Sequence, residues 1–526
     1  MPGVAHSVTL DGLAGRVIEI EADIGGGLPR TVIVGLADTM VSEARDRCRS
    51  AVANSDVSWP DQRVTICLAP SALPKSGVHF DLAIALSVVM ATGGVSAAAL
   101  ADTVFLGELA LDGRLRAVHG VLPAALAAAD AGFSRVFVPE SNVDEAELVD
   151  GITVVGVRSL RQTVALLTGQ SEPDDPPVPP LAEVPGASWT SADRLAELDL
   201  ADVAGQDDAR LAVLAAAAGG HHLLMTGPPG VGKTMLAQRL PALLPDLTRE
   251  QALETSAVHS IAGVLPADEP LLTRPPFLDP HHTASAVSIV GGGSRTIRPG
   301  ALSLAHHGVL FLDEAPEFAA NVVEALRQPL ESGRIVVSRS AQTAVYPARF
   351  QLILAANPCP CGLDGAPGDE CRCSPLMRRR YADRLSGPIR DRVDIHRTLR
   401  SPSRPELATA LSGSGVGTAC LREAVVQARD RQEHRFADES WRLNADAPGS
   451  ALRTRWPVVA AARELVDAQL RNRTLNPRSA DRVLRLSWTL ADLASHAVPT
   501  VDDVESALAL RRGESLGGPL RDLVAS

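Results

Sequence analysis

The stretch LLMTGPPGVGKTMLAQRL, residues 223–240, constrains the fold more than any other part of the chain. Apolar residues lead into Gly227-Pro228-Pro229-Gly230-Val231-Gly232-Lys233-Thr234, and a helix-periodic run follows. A G-x-x-x-x-G-K-T loop between a strand and a helix is a phosphate cradle. Its glycines let backbone N–H groups converge on phosphate, the lysine reaches the β and γ oxygens, and Thr234 holds Mg²⁺. The stretch predicts a parallel α/β sheet with ATP and Mg²⁺ at the carboxyl ends of its strands. A Gly-rich turn without a ligand is the alternative, but it leaves Lys233 unexplained. Only Lys75 and Lys233 are lysines among 50 basic residues, so a lysine in this slot is selective.

Two later strands supply partners. HGVLFLDEAPEF, residues 307–318, ends an apolar run on Asp313-Glu314. An acid there holds the Mg²⁺ shell, and the next polarises the attacking water. FQLILAAN, residues 350–357, ends on Asn357, which a parallel sheet places beside the γ-phosphate. Downstream, GPIRDRVD carries Arg392, expected as an arginine finger for a neighbouring subunit, and LNPRSADR carries Arg478, expected as a second γ-phosphate sensor.

At 526 residues the chain divides into several domains. Residues 1–170 alternate β-rich runs with Ala-rich helical ones and read as α+β. Residues 171–190 are expected as an extended linker, since 171–186 hold six prolines and four acids. Residues 191–400 read as the α/β nucleotide domain and 401–526 as helical, with 436–455 expected as a loop. The fold class is therefore multidomain α/β with a helical C-terminal part. The net charge of −12 gives no global attraction to nucleic acid, so any DNA contact is local. Aromatics at 3% argue against a base-stacking surface. LAIALSVVMA, residues 82–91, is too short to span a bilayer, and the N-terminus has no signal-peptide pattern. A cytoplasmic protein with no membrane partner is expected.

In a reducing cytosol, clustered cysteines point to metal. Cys359, Cys361, Cys371 and Cys373 form two Cys-x-Cys pairs that can close a tetrahedral sulfur site, for which structural Zn²⁺ is the expected ion. Free thiols or an iron–sulfur cluster are the alternatives. Cys48, Cys67 and Cys420 are isolated and expected to be buried. Because the cysteine loop leaves directly from Asn357, losing the metal is expected to weaken γ-phosphate sensing. Nucleotide binding is expected to suffer less, since Gly227–Thr234 lie on another loop.

In this order the motifs resemble AAA+ ATPases of the helix-2-insert clade, and more closely the ComM/YifB family of magnesium chelatase-like proteins. The resemblance is carried by AAAGGHHLLMTGPPGVGKTMLA, PHHTASAVSIVGGGS, GALSLAHHGVLFLDEAPEF, LRQPLESGRIVVSR, YPARFQLILAANPCPCG and SGPIRDRVDIH. It implies a ring-forming ATPase, expected as a hexamer. It implies a motor on branched or single- and double-strand DNA junctions, such as a branch-migration helicase aiding DNA integration in recombination or natural transformation. It carries Lys233, Thr234, Asp313, Glu314, Asn357, Arg392 and Arg478 into the roles above. Pore contacts are expected from Arg334 and Arg339, and from the insert at Arg295 and Arg298. The first domain resembles the proteolytic domain of Lon, but the serine slot falls on His79 and the lysine slot on Pro123. A Ser–Lys dyad needs a lysine to take the serine's proton, so proteolysis is not expected; Ser76 beside Lys75 occupies neither slot. A metal-chelatase motor acting on a protein partner and a Lon-type protease are the rival readings.

Overall fold

A computed structural model describes residues 2–35, 39–73, 75, 77–181, 198–293, 297–338, 343–364, 371–406, 416–516 and 524. Ser76, Arg295, Arg339 and linker residues 182–190 lie outside them.

The nucleotide domain is built on a five-stranded parallel sheet. Its spatial order is Phe277–Leu278, Val309–Leu312, Gln351–Ala356, Leu223–Thr226, Ile395–Thr398. Val309–Leu312 and Gln351–Ala356 are buried at every residue, as strands covered on both faces must be, so their sequences read as unbroken apolar runs. Parallel pairing brings all the carboxyl ends to one edge. Ala356 pairs with Thr226, so Asn357 follows its strand beside Gly227; Leu312 pairs with Leu354, which brings Asp313 to the same edge.

The first domain is a seven-stranded mixed sheet, in the order Arg30–Val34, Arg63–Ala69, Ala14–Gly25, Gly3–Asp11, Thr103–Phe105, Arg135–Pro139, Thr153–Val157. The apolar run expected to be too short for a membrane is the helix Asp81–Ala91, buried from Asp81 to Val89 against this sheet. No helix among the described residues is long and apolar enough to cross a membrane. His79, in the serine slot, is half-buried. Its Nε2–H donates to the Val8 carbonyl at 2.8 Å, and desolvation lowers its pKa to about 4. Pro123 is buried in the helix Val121–Asp130. Both slots are thus spent on packing.

The linker expectation needs correcting over its first part. Asp175 is buried, bonded by Ser159 Oγ at 2.5 Å and by Arg161, and Val178 enters the core of the first domain. Residues 171–181 are strapped onto that domain because Arg161 pairs with the Asp175 carboxylate and Arg158 donates to the Asp175 main-chain carbonyl. The 436–455 loop is corrected too. It contains a 3₁₀ turn, Asn444–Asp446, and a helix, Gly449–Thr454, because Phe436, Asn444 and Leu452 are buried against the C-terminal helices. Cys48 is buried as expected, Cys67 only partly, and Cys420 is exposed on the helix Thr418–Arg435.

The first domain docks on the nucleotide domain along the helix Arg249–Ala262. Leu253 and Ala257 pack with Val121, Leu122 and Ala125, while Ser260 bonds Glu145. A second contact is a hairpin tip. Gly12, at φ +63°, lies so close to the Arg334–Ser338/Thr343–Pro347 hairpin that a Cβ on it would sit 2.3 Å from the Val345 carbonyl oxygen.

Candidate active site

The loop Gly227–Gly232 bends into the helix Lys233–Leu243, whose N-cap Gly232 has φ +97°. A Cβ on Gly230 or Gly232 would meet nothing within 4 Å, so the loop's outer side is open to a phosphate chain. The Lys233 ammonium donates to the Gly227 carbonyl at 2.6 Å, the Pro228 carbonyl at 2.8 Å and Asn357 Oδ1 at 3.1 Å. Its three protons are thereby used inside the site. Desolvation is the main cause of its lowered pKa, with Asp313 and Glu314 acting in the opposite sense. Thr234 Oγ1 donates to Asp313 Oδ2 at 2.7 Å. These are two hard oxygen donors on one side of the lysine, the set that fits Mg²⁺.

Lys233 with Asn357 and Thr234 with Asp313 thus form two hydrogen-bonded pairs side by side at the start of this helix. Glu314 stands beside them with its N–H on Asp313 Oδ1 at 2.9 Å and its backbone in the left-handed region, φ 51°. A non-glycine residue held there at the end of a buried strand is a strained position of the kind found at functional sites. Its carboxylate does not stand alone. His282 Nδ1 lies 3.2 Å from Glu314 Oε2. His282 belongs to the PHHTAS segment after the edge strand Phe277–Leu278, and no spacing rule in the sequence points to it. The only signal was the pairing of two histidines in a polar loop.

Arg392 and Arg478 form a second group. Arg392 is half-buried. It pairs with Glu331 and donates to the Pro388 carbonyl at 2.8 Å. Within one chain Glu331 thus occupies the Arg392 guanidinium. Arg478 is exposed and lies 3.8 Å from Asp391, the residue before Arg392. The repulsion of Arg327, Arg478 and Arg482 adds to desolvation in lowering the Arg392 pKa, so these cations crowd one surface.

The four cysteines also converge. Their sulfurs all lie within 4.8 Å of one another. Cys359 Sγ is 3.3 Å from Cys361 Sγ and 3.6 Å from Cys371 Sγ, and Cys361 to Cys371 is 3.5 Å. These separations exceed a disulfide and approach the ~3.8 Å edge of a sulfur tetrahedron around zinc. The Leu363 N–H is the first cause holding the Cys361 thiol down to about 6, followed by Cys359. A backbone amide aimed at a cysteine sulfur suits a thiolate ligand, so the donor set fits Zn²⁺. On the far side of the loop, Arg378 Nε donates to the Cys373 carbonyl at 3.2 Å and Arg378 pairs with Asp364 at 2.6 Å. The loop does not keep clear of the phosphate cradle. Gly362, at φ +76°, closes on the Pro229 ring so tightly that a Cβ would lie 2.8 Å from Pro229 Cδ. The two loops, separate along the chain, thus touch in space.

A parallel sheet in this strand order, with a phosphate loop, an acidic pair and a polar sensor on three adjacent strands, defines an AAA+ ATPase-type protein. Comparison with known families agrees. The descriptions "Magnesium chelatase, subunit ChlI" (residues 199–407), "Subunit ChlI of Mg-chelatase" (20–142) and "Magnesium chelatase, subunit ChlI C-terminal" (415–511) match successive parts of the chain. It is 48% identical to an uncharacterized protein of Mycobacterium tuberculosis over 97% of this chain and 98% of that one. It is 37% identical to Escherichia coli YifB, covering 97% and 96%, and 39% identical to Haemophilus influenzae competence protein ComM, covering 93% of each. The chain belongs to the magnesium chelatase-like family that contains YifB and ComM.

Proposed function

We propose that this protein is an ATP-hydrolysing ring motor that moves branched or displaced DNA strands. The observation that carries the motor half is the two adjacent hydrogen-bonded pairs Lys233–Asn357 and Thr234–Asp313, with Glu314 beside them. Gly227–Thr234 bind the phosphates, and Thr234 with Asp313 would hold Mg²⁺, which when bound neutralises phosphate charge. Asn357 orients the γ-phosphate and the water. Glu314 takes that water's proton once its carboxylate leaves His282. Arg392 and Arg478 act on a neighbour's nucleotide, which requires Arg392 to exchange Glu331 for phosphate. Cys359, Cys361, Cys371 and Cys373 would hold one Zn²⁺ per chain.

Two buttressed hairpins support the DNA half. The Tyr346 hydroxyl on Arg334–Ser338/Thr343–Pro347 donates at 2.6 Å to the Ile297 carbonyl, next to the insert strand Arg298–Pro299. Arg334 and Arg298 are exposed on this pair, which suits phosphate contacts confined to one place on an acidic chain. The likeness to a competence protein favours the same reading. A labelled four-way junction tests it. ATP-dependent conversion into duplex products by the wild type, and none by Glu314→Gln, is the expected result. A junction left intact while ATP is consumed contradicts it.

A further inference from the structure

The cysteine loop and the phosphate loop touch at Gly362 and Pro229, and the consequence is energetic. The turn Cys359–Gly362 is closed by the Gly362 N–H donating to the Cys359 carbonyl at 2.9 Å, so its shape depends on where the Cys359 and Cys361 sulfurs are held. A metal fixes them; without one, a four-thiol loop gains conformational freedom. Gly362 then rests on Pro229, and only glycine combines that φ with so close an approach. Pro229 follows Pro228, whose carbonyl takes one of the Lys233 ammonium protons. The stiff Pro228-Pro229 pair passes any shift of the turn to the platform on which Lys233 stands. The loop thus braces the phosphate cradle.

We propose that metal occupancy of the four-cysteine site and nucleotide occupancy of the phosphate loop are coupled through the Gly362–Pro229 contact, with both residues as positioning residues. This rests on the metal reading above. The ligands concerned are a thiophilic divalent cation and a nucleoside di- or triphosphate. Linkage makes the effect reciprocal, so bound nucleotide tightens metal binding by the factor by which metal tightens nucleotide binding.

The test uses the full-length chain loaded with Zn²⁺, the same protein stripped by a zinc chelator under reducing conditions and desalted, and the stripped protein reloaded. A fluorescent ADP analogue is titrated into each without Mg²⁺. Stripping is expected to weaken ADP binding about 5- to 20-fold, within the usual range of such couplings, and reloading to restore it. Saturating ADP is expected to raise Zn²⁺ affinity, read by competition with a chromogenic chelator, by the same factor. Gly362→Ala is expected to keep its zinc and lose ADP affinity, with little further loss on stripping. Should Gly362→Ala not fold, Cys361→Ser, altered at an exposed position, replaces stripping and is expected to weaken ADP binding equally. If the chain neither carries nor takes up zinc, the metal reading falls and the coupling with it. If zinc binds but ADP affinity changes less than twofold on removal, the coupling alone is wrong.

Discussion

Replacing Asn357 with alanine removes one of the three acceptors of the Lys233 ammonium while leaving the Gly227 and Pro228 carbonyls at 2.6 and 2.8 Å. Two of three ground-state contacts survive, and the loop glycines are untouched, so nucleotide affinity should change by less than about threefold. The chemical step should suffer more. A hydrogen bond to a charged group is worth about 1.5–3 kcal/mol, and if Asn357 turns from Lys233 to the γ-phosphate during reaction, kcat should fall about 10- to 150-fold. Asn357→Asp makes the opposite split. A carboxylate 3.1 Å from the ammonium attracts it by about 5 kcal/mol at an effective dielectric near 20, before further screening. It also repels phosphate, so affinity should fall together with kcat. Steady-state ATPase with coupled phosphate detection, beside equilibrium nucleotide binding, separates the two. An alanine variant with kcat within twofold of wild type refutes the sensor role.

His282→Ala removes the partner of Glu314, and ATPase measured without DNA should rise about two- to fivefold, the worth of one partly exposed polar contact; an unchanged basal rate means that His282 does not restrain the glutamate. Gly12→Ala adds a Cβ 2.3 Å from the Val345 carbonyl at φ +63°, so the domain contact should weaken by about 2–4 kcal/mol, and hydrogen exchange should rise in residues 343–347; unaltered protection there removes the hairpin from that contact. His79, His222, His259 and His396 are held neutral by burial, with pKa values lowered from 6.5 to about 4. The unfolded chain takes their protons first as pH falls, so stability is lost between about pH 6.5 and pH 4. Urea titrations at pH 7.5 and 5.5 should differ by about 1.3 kcal/mol per histidine, up to about 5 kcal/mol for the four; equal midpoints show that these side chains are solvated.

The phosphate loop, the Asp313-Glu314 pair and Asn357 were legible because each is a local pattern. A buried strand of four to six apolar residues must end in something polar at the sheet edge, and parallel pairing brings those ends together. The cysteine cluster was legible for a similar reason, as ligand spacing is written along the chain. What escaped depends on contacts between segments far apart in sequence. His282 reaches Glu314 only because Phe277–Leu278 pairs beside Val309–Leu312. Gly362 reaches Pro229 only because Gln351–Ala356 lies next to Leu223–Thr226. The cover on Arg392 comes from Glu331, at the end of a short helix that no motif linked to it. The strap of residues 171–181 was misread because proline-rich acidic sequence describes a free linker equally well until Arg158 and Arg161 are placed beneath it.

A DNA motor driven from the Lys233 site is put to the test by the ATPase rate of the purified full-length chain with and without branched DNA at low salt. The rate should rise several-fold with DNA, the rise should fade as salt is added, and Glu314→Gln should abolish turnover while nucleotide binding persists. A wild-type rate indifferent to DNA at every salt concentration, or undiminished hydrolysis by Glu314→Gln, contradicts it.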